Sequence, residues 1–155
     1  GIYRVVLGKA IAYFVLYVAI SAYILGFIPK LFNLPHIGNI WTLFHFIVPF
    51  LIATIFFSMS VSVFIKNRET GLIAFLFFTL ILLFLSGFSW PHVSYLFPST
   101  HGIQGYIKIN SNGANLAQVR FEYVWLWAQA AFYFITASFT LGYIVKREKL
   151  AKIKD

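Results

Sequence analysis

Long apolar segments alternate with short polar ones along most of the chain, and this pattern predicts membrane-spanning helices. A helix needs about 20 mainly apolar residues to cross a bilayer, and four segments come close to this length or exceed it. We place them at residues 10–27, 40–65, 71–88 and 121–145. The sequence therefore predicts an all-α polytopic membrane protein, with four transmembrane helices in a single transmembrane domain.

The segment 89–120 interrupts the pattern, because it mixes apolar residues with turn residues and is too polar to cross a membrane. We expect it to form short helices that lie at the outer leaflet or dip into it. Backbone polar groups at that depth must be satisfied by protein or by a water-filled cavity. This external element should therefore pack against the spans. The other two connections, 29–38 and 66–70, are too short to hold a domain.

Composition agrees with a membrane protein and excludes several other classes. With 61% hydrophobic residues, 10% charged residues and a mean hydropathy of +0.84, the chain has too little polar surface for a soluble globule. The net charge of +8 does not form a basic face among aromatic residues, so we expect no nucleic-acid partner. The absence of cysteine excludes disulfides, thiolate metal sites and iron–sulfur clusters. Since the first residue is not methionine and no cleavable leader follows, we expect a piece of a longer protein.

Basic residues are distributed unequally between the two ends of the predicted spans. Three of the twelve, Lys30, Lys108 and Arg120, fall on one side, and the other nine fall on the opposite side. The nine are Arg4, Lys9, Lys66, Arg68, Lys146, Arg147, Lys149, Lys152 and Lys154. Because positive charge is retained in the cytoplasm, both ends of the chain are predicted to be cytoplasmic, including the basic tail 146–155. All four tryptophans then lie toward the outer interface, where indole rings are favoured.

The most distinctive motif joins the third span to the external element. Ser-Gly-Phe-Ser-Trp-Pro at residues 86–91 is followed by Pro-Ser-Thr-His-Gly-Ile-Gln-Gly at 98–105, and a Gly-Ala pair at 113–114 precedes the last span. These elements resemble the external signature of the permease subunits of type-2 ATP-binding-cassette (ABC) exporters. In that family a Ser-Gly-Phe-x-x-Pro element ends the fifth helix, and a re-entrant pair of short helices precedes the sixth. The chain departs from the pattern in having a shorter stretch than usual between Pro91 and Pro98.

The resemblance extends over essentially the whole chain and implies a function. The four spans would be the last four helices of a permease that exports a drug, lipid or other amphiphile across a bacterial inner membrane by ATP-driven alternating access. Its partners would be an ATP-binding-cassette ATPase subunit, a second copy or pseudo-symmetric half, and membrane lipid, and the family also allows a periplasmic adaptor. The chain lacks the Gly-x-x-x-x-Gly-Lys-Ser/Thr loop. We therefore expect no enzyme activity and no cofactor here, with ATP and Mg²⁺ held by the partner.

The resemblance further implies an external gate or re-entrant element. Its candidate residues are Ser86, Gly87, Pro91, Pro98, Ser99, Thr100, His101, Gly102, Gly105 and Glu122. Gly87 and Pro91 also fit an ordinary helix stop. Glu122 lies two residues after Arg120. Its carboxylate is suited to gate the exit or contact a cationic substrate there. Alternatively, it is a first-turn acid that interacts favourably with the helix dipole and pairs with Arg120.

Two other patterns admit different functions. His101 beside Ser99 and Thr100 suggests a hydrolase, but no acid is placed to orient the imidazole and no Gly-x-Ser-x-Gly turn surrounds a serine. The Pro-Ser-Thr run is better interpreted as a helix N-cap. His45 and Pro49 share one face of the second span, where we expect a hydrogen bond to a neighbouring helix and a kink rather than haem binding.

The competing class is a non-transport membrane protein, either a scaffold or assembly subunit or a membrane-embedded enzyme. Such an enzyme should have acids or histidines facing one another within the membrane, and this chain has almost none. A scaffold would not need an external segment folded back on the spans.

Overall fold

The computed structural model describes residues 1–33, 35, 37–62, 65, 67–85 and 94–151, and all regular structure within these ranges is helical. Within these ranges, five helices can be followed from start to end. They are α1 (Ile2–Leu31), α2 (Ile40–Ser62), α3 (Arg68–Leu85), α4 (Pro98–Asn112) and α5 (Arg120–Ala151). A single π-helical turn, Tyr23–Phe27, interrupts α1. It lies just before Pro29, which cannot donate the backbone hydrogen bond to the preceding turn.

Three of these helices are long and apolar enough to cross a membrane: Ile2–Leu31, Ile40–Ser62 and the part Arg120–Lys146 of α5. The predicted all-α polytopic class is therefore confirmed. The third predicted span, 71–88, corresponds to α3, which has 18 residues and a length of about 27 Å. Residues 86–88 of that predicted span lie outside the described ranges. Within α3, Glu69–Ile81 forms a shorter apolar helix.

The first helix differs from its prediction in extent, because it begins at Ile2 rather than near residue 10. Arg4 and Lys9 lie inside it, and both are exposed. Helical hydrogen bonding does not stop where the hydrocarbon stops, and long basic side chains can reach the interface from within a helix. Hydropathy therefore located the apolar part of α1 and not its end.

Helix α2 is the centre of the bundle and packs against α1, α4 and α5. Near the start of α2, Leu43 and Phe46 form a buried cluster with Ile109 of α4 and Leu126 of α5. Toward its end, a second buried cluster combines residues from α1, α2 and α5. These residues are Val6, Ala10, Ile55, Phe56, Met59, Tyr133 and Ala137. Helices α2 and α5 thus run parallel, α1 runs antiparallel to them, and α4 covers one end of the bundle, here called the α4 end.

A small polar contact joins α2 to α5 in the half of the bundle away from α4. The Ser60 hydroxyl oxygen lies 2.9 Å from the Thr136 hydroxyl and 3.2 Å from the Tyr133 carbonyl oxygen. Short hydroxyl side chains allow close helix approach and hydrogen bonding within a membrane. His45 forms no such contact, since its Nδ1 lies 2.8 Å from the Trp41 carbonyl of its own helix and its side chain is exposed. The predicted bond from His45 to a neighbouring helix is therefore wrong.

Candidate functional site

The structure gathers most of the candidate residues at the contact between α4 and α5. Six of them lie on α4: Pro98, Ser99, Thr100, His101, Gly102 and Gly105. Glu122 lies in the first turn of α5. The other three, Ser86, Gly87 and Pro91, lie outside the described residues.

Local sequence explains where α4 begins and ends. Phe97 has extended backbone angles (φ −92°, ψ 133°), and Pro98 follows at the first helical position, which suits its fixed φ and missing N–H. The helix start has no side-chain cap, so the predicted N-cap role for the hydroxyls after Pro98 is wrong. Gly113 ends the helix in the left-handed region (φ 65°), and the Ala114 N–H donates to the Lys108 carbonyl at 3.1 Å.

Two glycines bring α4 against α2. A Cβ atom at Gly102 would overlap the ring of Phe50, and a Cβ atom at Gly105 would overlap the ring of Phe46. The two glycines lie three residues apart, on the same face of α4. Phe46 is only 1% exposed, so its ring has little freedom to move away. The closeness of α4 to α2 therefore depends on the absence of side chains at these two positions.

Three side chains hold the turn that precedes α4. The Gln129 amide nitrogen donates to the carbonyls of Tyr95 and Leu96 at 2.9 and 3.0 Å. The Tyr133 hydroxyl donates to the Leu96 carbonyl at 2.7 Å. The Nε2 atom of His101 lies 3.1 Å from the Tyr95 carbonyl, so this nitrogen carries the proton. The turn at residues 94–97 is thus fixed to both α4 and α5.

His101 is fully buried between the two helices. Its ring stacks on that of Trp125, with centroids 5.8 Å apart and an interplanar angle of 3°. Burial lowers the pKa of His101 below 6.5, against the opposing effects of the Tyr95 carbonyl and of the Glu122 charge. The imidazole is therefore neutral at pH 7, and its Nδ1 is a buried acceptor without a partner among the described residues.

Glu122 pairs with α4 rather than with its neighbour in sequence. Its carboxylate forms an ion pair with the Lys108 ammonium, although the sequence offered Arg120 as the partner. The Glu122 side chain is 3% exposed and that of Lys108 is 46% exposed. The Glu122 charge opposes the lowering of the His101 pKa by burial, yet the described hydrogen bond of the His101 ring is to the Tyr95 carbonyl and not to this carboxylate. The Glu122 carboxylate thus links α5 to α4 through Lys108.

These contacts come from one face of α5. Glu122, Trp125, Gln129 and Tyr133 recur at intervals of three and four residues, which places them in one line along the helix. Sequence reasoning named only the first of them. A buried amide at Gln129 within an apolar span was the available signal, because such groups are retained where they find a hydrogen-bond partner.

Three acceptor atoms in this region are buried and have no hydrogen-bond partner in the part of the chain that the structure describes. They are Nδ1 of His101, Oε2 of Glu122 and Oε1 of Gln129. Buried polar atoms are normally paired, and an unpaired one carries a free-energy cost. The contacts described above therefore hold α4 in place, while these three acceptor atoms make no described hydrogen bond.

A cleft of 320 Å³ opens beside the start of α4, between α2 and α3. Its walls are mainly apolar and include Phe50, Phe57 and Phe78, and Pro98 and Ser99 lie at the α4 side. The hydroxyls of Thr54 and Thr79, which also line it, donate to carbonyls of their own helices. The cleft can accept an apolar group and offers it few hydrogen-bond donors.

The geometry does not resemble a hydrolytic or metal centre. The His101 ring donates its hydrogen bond to the backbone carbonyl of Tyr95 and not to the hydroxyl of Ser99 or Thr100. Among the described residues, no three His, Cys, Asp or Glu side chains are grouped so as to hold a metal ion. The arrangement is one of helix packing and hydrogen bonding at one end of a membrane bundle.

Comparison with known proteins identifies the family. The sequence profile described as ABC-2 family transporter protein matches residues 1–139, which include the whole of α4 and the α5 face described above. No curated protein and no solved structure matches the chain. This profile covers most of the chain, and the apolar helices of the chain form a multi-pass membrane bundle. The chain therefore belongs to the ABC-2 family of transporter proteins.

Proposed function

We propose that this chain is the permease subunit of an ATP-driven exporter, and that α4 with the turn at 94–97 is its outer gate. The observation that carries the proposal is the attachment of α4 to the bundle through specific, separable contacts. These contacts are the two glycine–ring contacts, the hydrogen bonds to the turn carbonyls and the pair between Lys108 and Glu122. A gate must close in one defined position and still release, and contacts of this kind meet both needs.

The energetics of the contacts suit reversible opening. A typical intramolecular hydrogen bond contributes only about 0.5–1.5 kcal/mol, because water replaces it when it breaks. In the closed arrangement, the acceptors on His101, Glu122 and Gln129 are unpaired. Water entering at the opened end would hydrate all three, and this gain offsets part of the loss of the closed contacts. The closed gate is therefore held without a large energetic barrier to release.

Helices α2 and α5 provide a path for movement from the far end of the bundle to α4. They run parallel, share the buried clusters near both ends of α2 and are joined by Ser60 and Thr136. A separate ATPase subunit bound at the end away from α4 would shift these helices on binding ATP. Positive charges at Arg4, Lys9 and Lys146 favour placing that end in the cytoplasm.

The cleft between α2 and α3 supports an amphiphile as the substrate class. Its apolar walls would accept hydrocarbon, and its position beside Pro98 and Ser99 would bring that hydrocarbon to the start of the gate. Helix α3 presents exposed apolar side chains such as Leu72, Phe75 and Phe77. A lipid-soluble substrate could thus enter from the bilayer without crossing water.

The test is coupled turnover in lipid. The full-length protein, purified with the proteins that bind it, is expected to bring down an ATPase whose turnover rises in liposomes when an amphiphile is added. Gln129→Leu should uncouple this stimulation by loosening the turn, whereas Lys146→Gln, which lies far from the gate, should not. A stable complex that contains no ATPase would overturn the proposal and favour a scaffold subunit.

A further inference from the structure

A second cleft lies in the half of the bundle away from α4, and its polar character distinguishes it from the cleft near the gate. Its volume is 340 Å³, and it is formed by α1, α2 and α5. Lys9, Tyr13 and Tyr17 of α1 face Ser58 and Ser62 of α2 across it. We call it the Lys9 cleft. A positive charge and four hydroxyls thus meet within a membrane bundle.

The charge of the Lys9 cleft lies near its mouth. Lys9, Tyr13 and Tyr17 lie four residues apart, so they form one line along α1, and each lies about 6 Å deeper in the bundle than the one before. Because α2 is antiparallel to α1, Ser62 is the α2 residue nearest the rim, and Ser58 and Ile55 lie deeper. The cleft is therefore charged near its mouth, and hydroxyl groups and apolar side chains share the rest of its length.

Most donors of the Lys9 cleft have no partner in the described part of the chain. No carboxylate there pairs with Lys9, and the ion pair that the structure describes joins Lys108 to Glu122 at the α4 end. The Ser62 hydroxyl donates to the Met59 carbonyl, while the hydroxyls of Tyr13 and Ser58 have no partner among the described residues. A positive charge within a spanning helix is costly unless an anion or water compensates it. The cleft thus presents several donors and no negative group.

We propose that the Lys9 cleft binds the phosphate headgroup of an anionic phospholipid. The ammonium of Lys9 would contact the phosphate, and the hydroxyls of Tyr13 and Ser58 would donate to phosphate or ester oxygens. The apolar side chains of Ile55, Met59 and Leu141 line the same cleft and would contact the acyl chains. A cleft that combines a positive charge near the membrane surface with hydroxyl groups and apolar walls suits a phospholipid. These apolar walls favour a lipid over free phosphate, which has no hydrocarbon.

The position in the membrane agrees with this ligand. The Lys9 cleft lies at the end where α1 begins, which the distribution of basic residues assigns to the cytoplasm. Anionic lipids concentrate in the cytoplasmic leaflet, and basic pockets between membrane helices bind their headgroups. The inference does not depend on the transport proposal, because a lipid bound here would stabilise the bundle whether or not the chain transports a substrate.

Native mass spectrometry of the full-length protein, purified in mild detergent with equal amounts of phosphatidylglycerol and phosphatidylcholine, tests the proposal. We expect selective retention of phosphatidylglycerol, and Lys9→Gln should lower that retention about fivefold, the effect of one basic residue near an anionic lipid. Lys146→Gln is the matched control, since it removes the same charge from the same end of the bundle but does not line the cleft. That variant should retain the lipid as the parent does.

Further variants separate a specific site from general attraction. Lys9→Arg should keep most of the retention, and Tyr13→Phe should lower it partly, with helix content checked by circular dichroism. Equal loss in Lys9→Gln and Lys146→Gln, or no loss in either, would overturn the site. Equal retention of both lipids would overturn the role of charge. Displacement of the ligand by excess glycerophosphate would assign the cleft to soluble phosphate and overturn the lipid proposal.

Discussion

Adding one methyl group at Gly105 should disturb the attachment of α4 to α2. The Cβ atom of Gly105→Ala would occupy the space of the Phe46 ring. That ring is 1% exposed and belongs to the buried cluster near the start of α2, so it cannot turn toward solvent or lipid without displacing its neighbours. The alanine is accommodated only if α4 moves away or the cluster repacks.

The magnitude follows from two opposing effects. Overpacking a close-packed core typically costs about 1–3 kcal/mol, whereas replacing glycine by alanine within a helix gains about 1 kcal/mol of helix propensity. Gly8→Ala isolates the second effect, because Gly8 also lies within a helix and no atom lies within 4 Å of its added Cβ. We therefore expect Gly105→Ala to be less stable than Gly8→Ala by about 1–3 kcal/mol.

The assay is thermal unfolding of both variants in the same lipid nanodiscs, combined with labelling of a cysteine introduced at position 100. Since these 155 residues contain no cysteine, Thr100→Cys introduces a single thiol among them, and Thr100 is 5% exposed. Gly105→Ala should lower the unfolding temperature and speed thiol labelling, whereas Gly8→Ala should do neither. Equal unfolding temperatures and equal labelling rates in the two variants would refute the role assigned to the glycine contact.

Three further predictions concern the polar contacts of α4. Gln129→Leu removes two hydrogen bonds to the turn and should destabilise the protein by about 1–3 kcal/mol, more than Tyr133→Phe, which removes one; thermal unfolding compares them. Lys108→Met leaves the buried carboxylate of Glu122 without its ion-pair partner, whereas Glu122→Gln removes the buried charge itself. Lys108→Met should therefore lower the unfolding temperature more than Glu122→Gln, and the reverse order would contradict the pairing. Because burial holds the pKa of His101 below 6.5, the folded protein binds fewer protons than the unfolded chain between the two pKa values. The stability of the folded protein should therefore fall as the pH drops through about 6.5 and level off below the pKa of His101 in the folded state. If the unfolding temperature depends on pH in the same way after His101 is replaced by Phe, this histidine is not the cause.

The sequence by itself determined the helical membrane class and the approximate positions of the spans. An apolar segment in a bilayer must satisfy its own backbone hydrogen bonds, so hydropathy alone predicts a helix there. Pro98 and Gly113 likewise mark the start and end of α4 by their local backbone preferences. The residues of the external motif also carried the resemblance that the family comparison confirmed.

Only the tertiary structure decided which polar groups meet. Glu122 has Arg120 two residues away, yet its partner is Lys108 on another helix. Gln129 lies within an apolar span, and its amide donates to a turn more than thirty residues earlier in the chain. Local patterns reflect the preferences of neighbouring residues, while these contacts depend on how α4 lies against α2 and α5. That position depends on the close approach of Gly102 and Gly105 to the rings of Phe50 and Phe46, and no periodicity along the sequence encodes it.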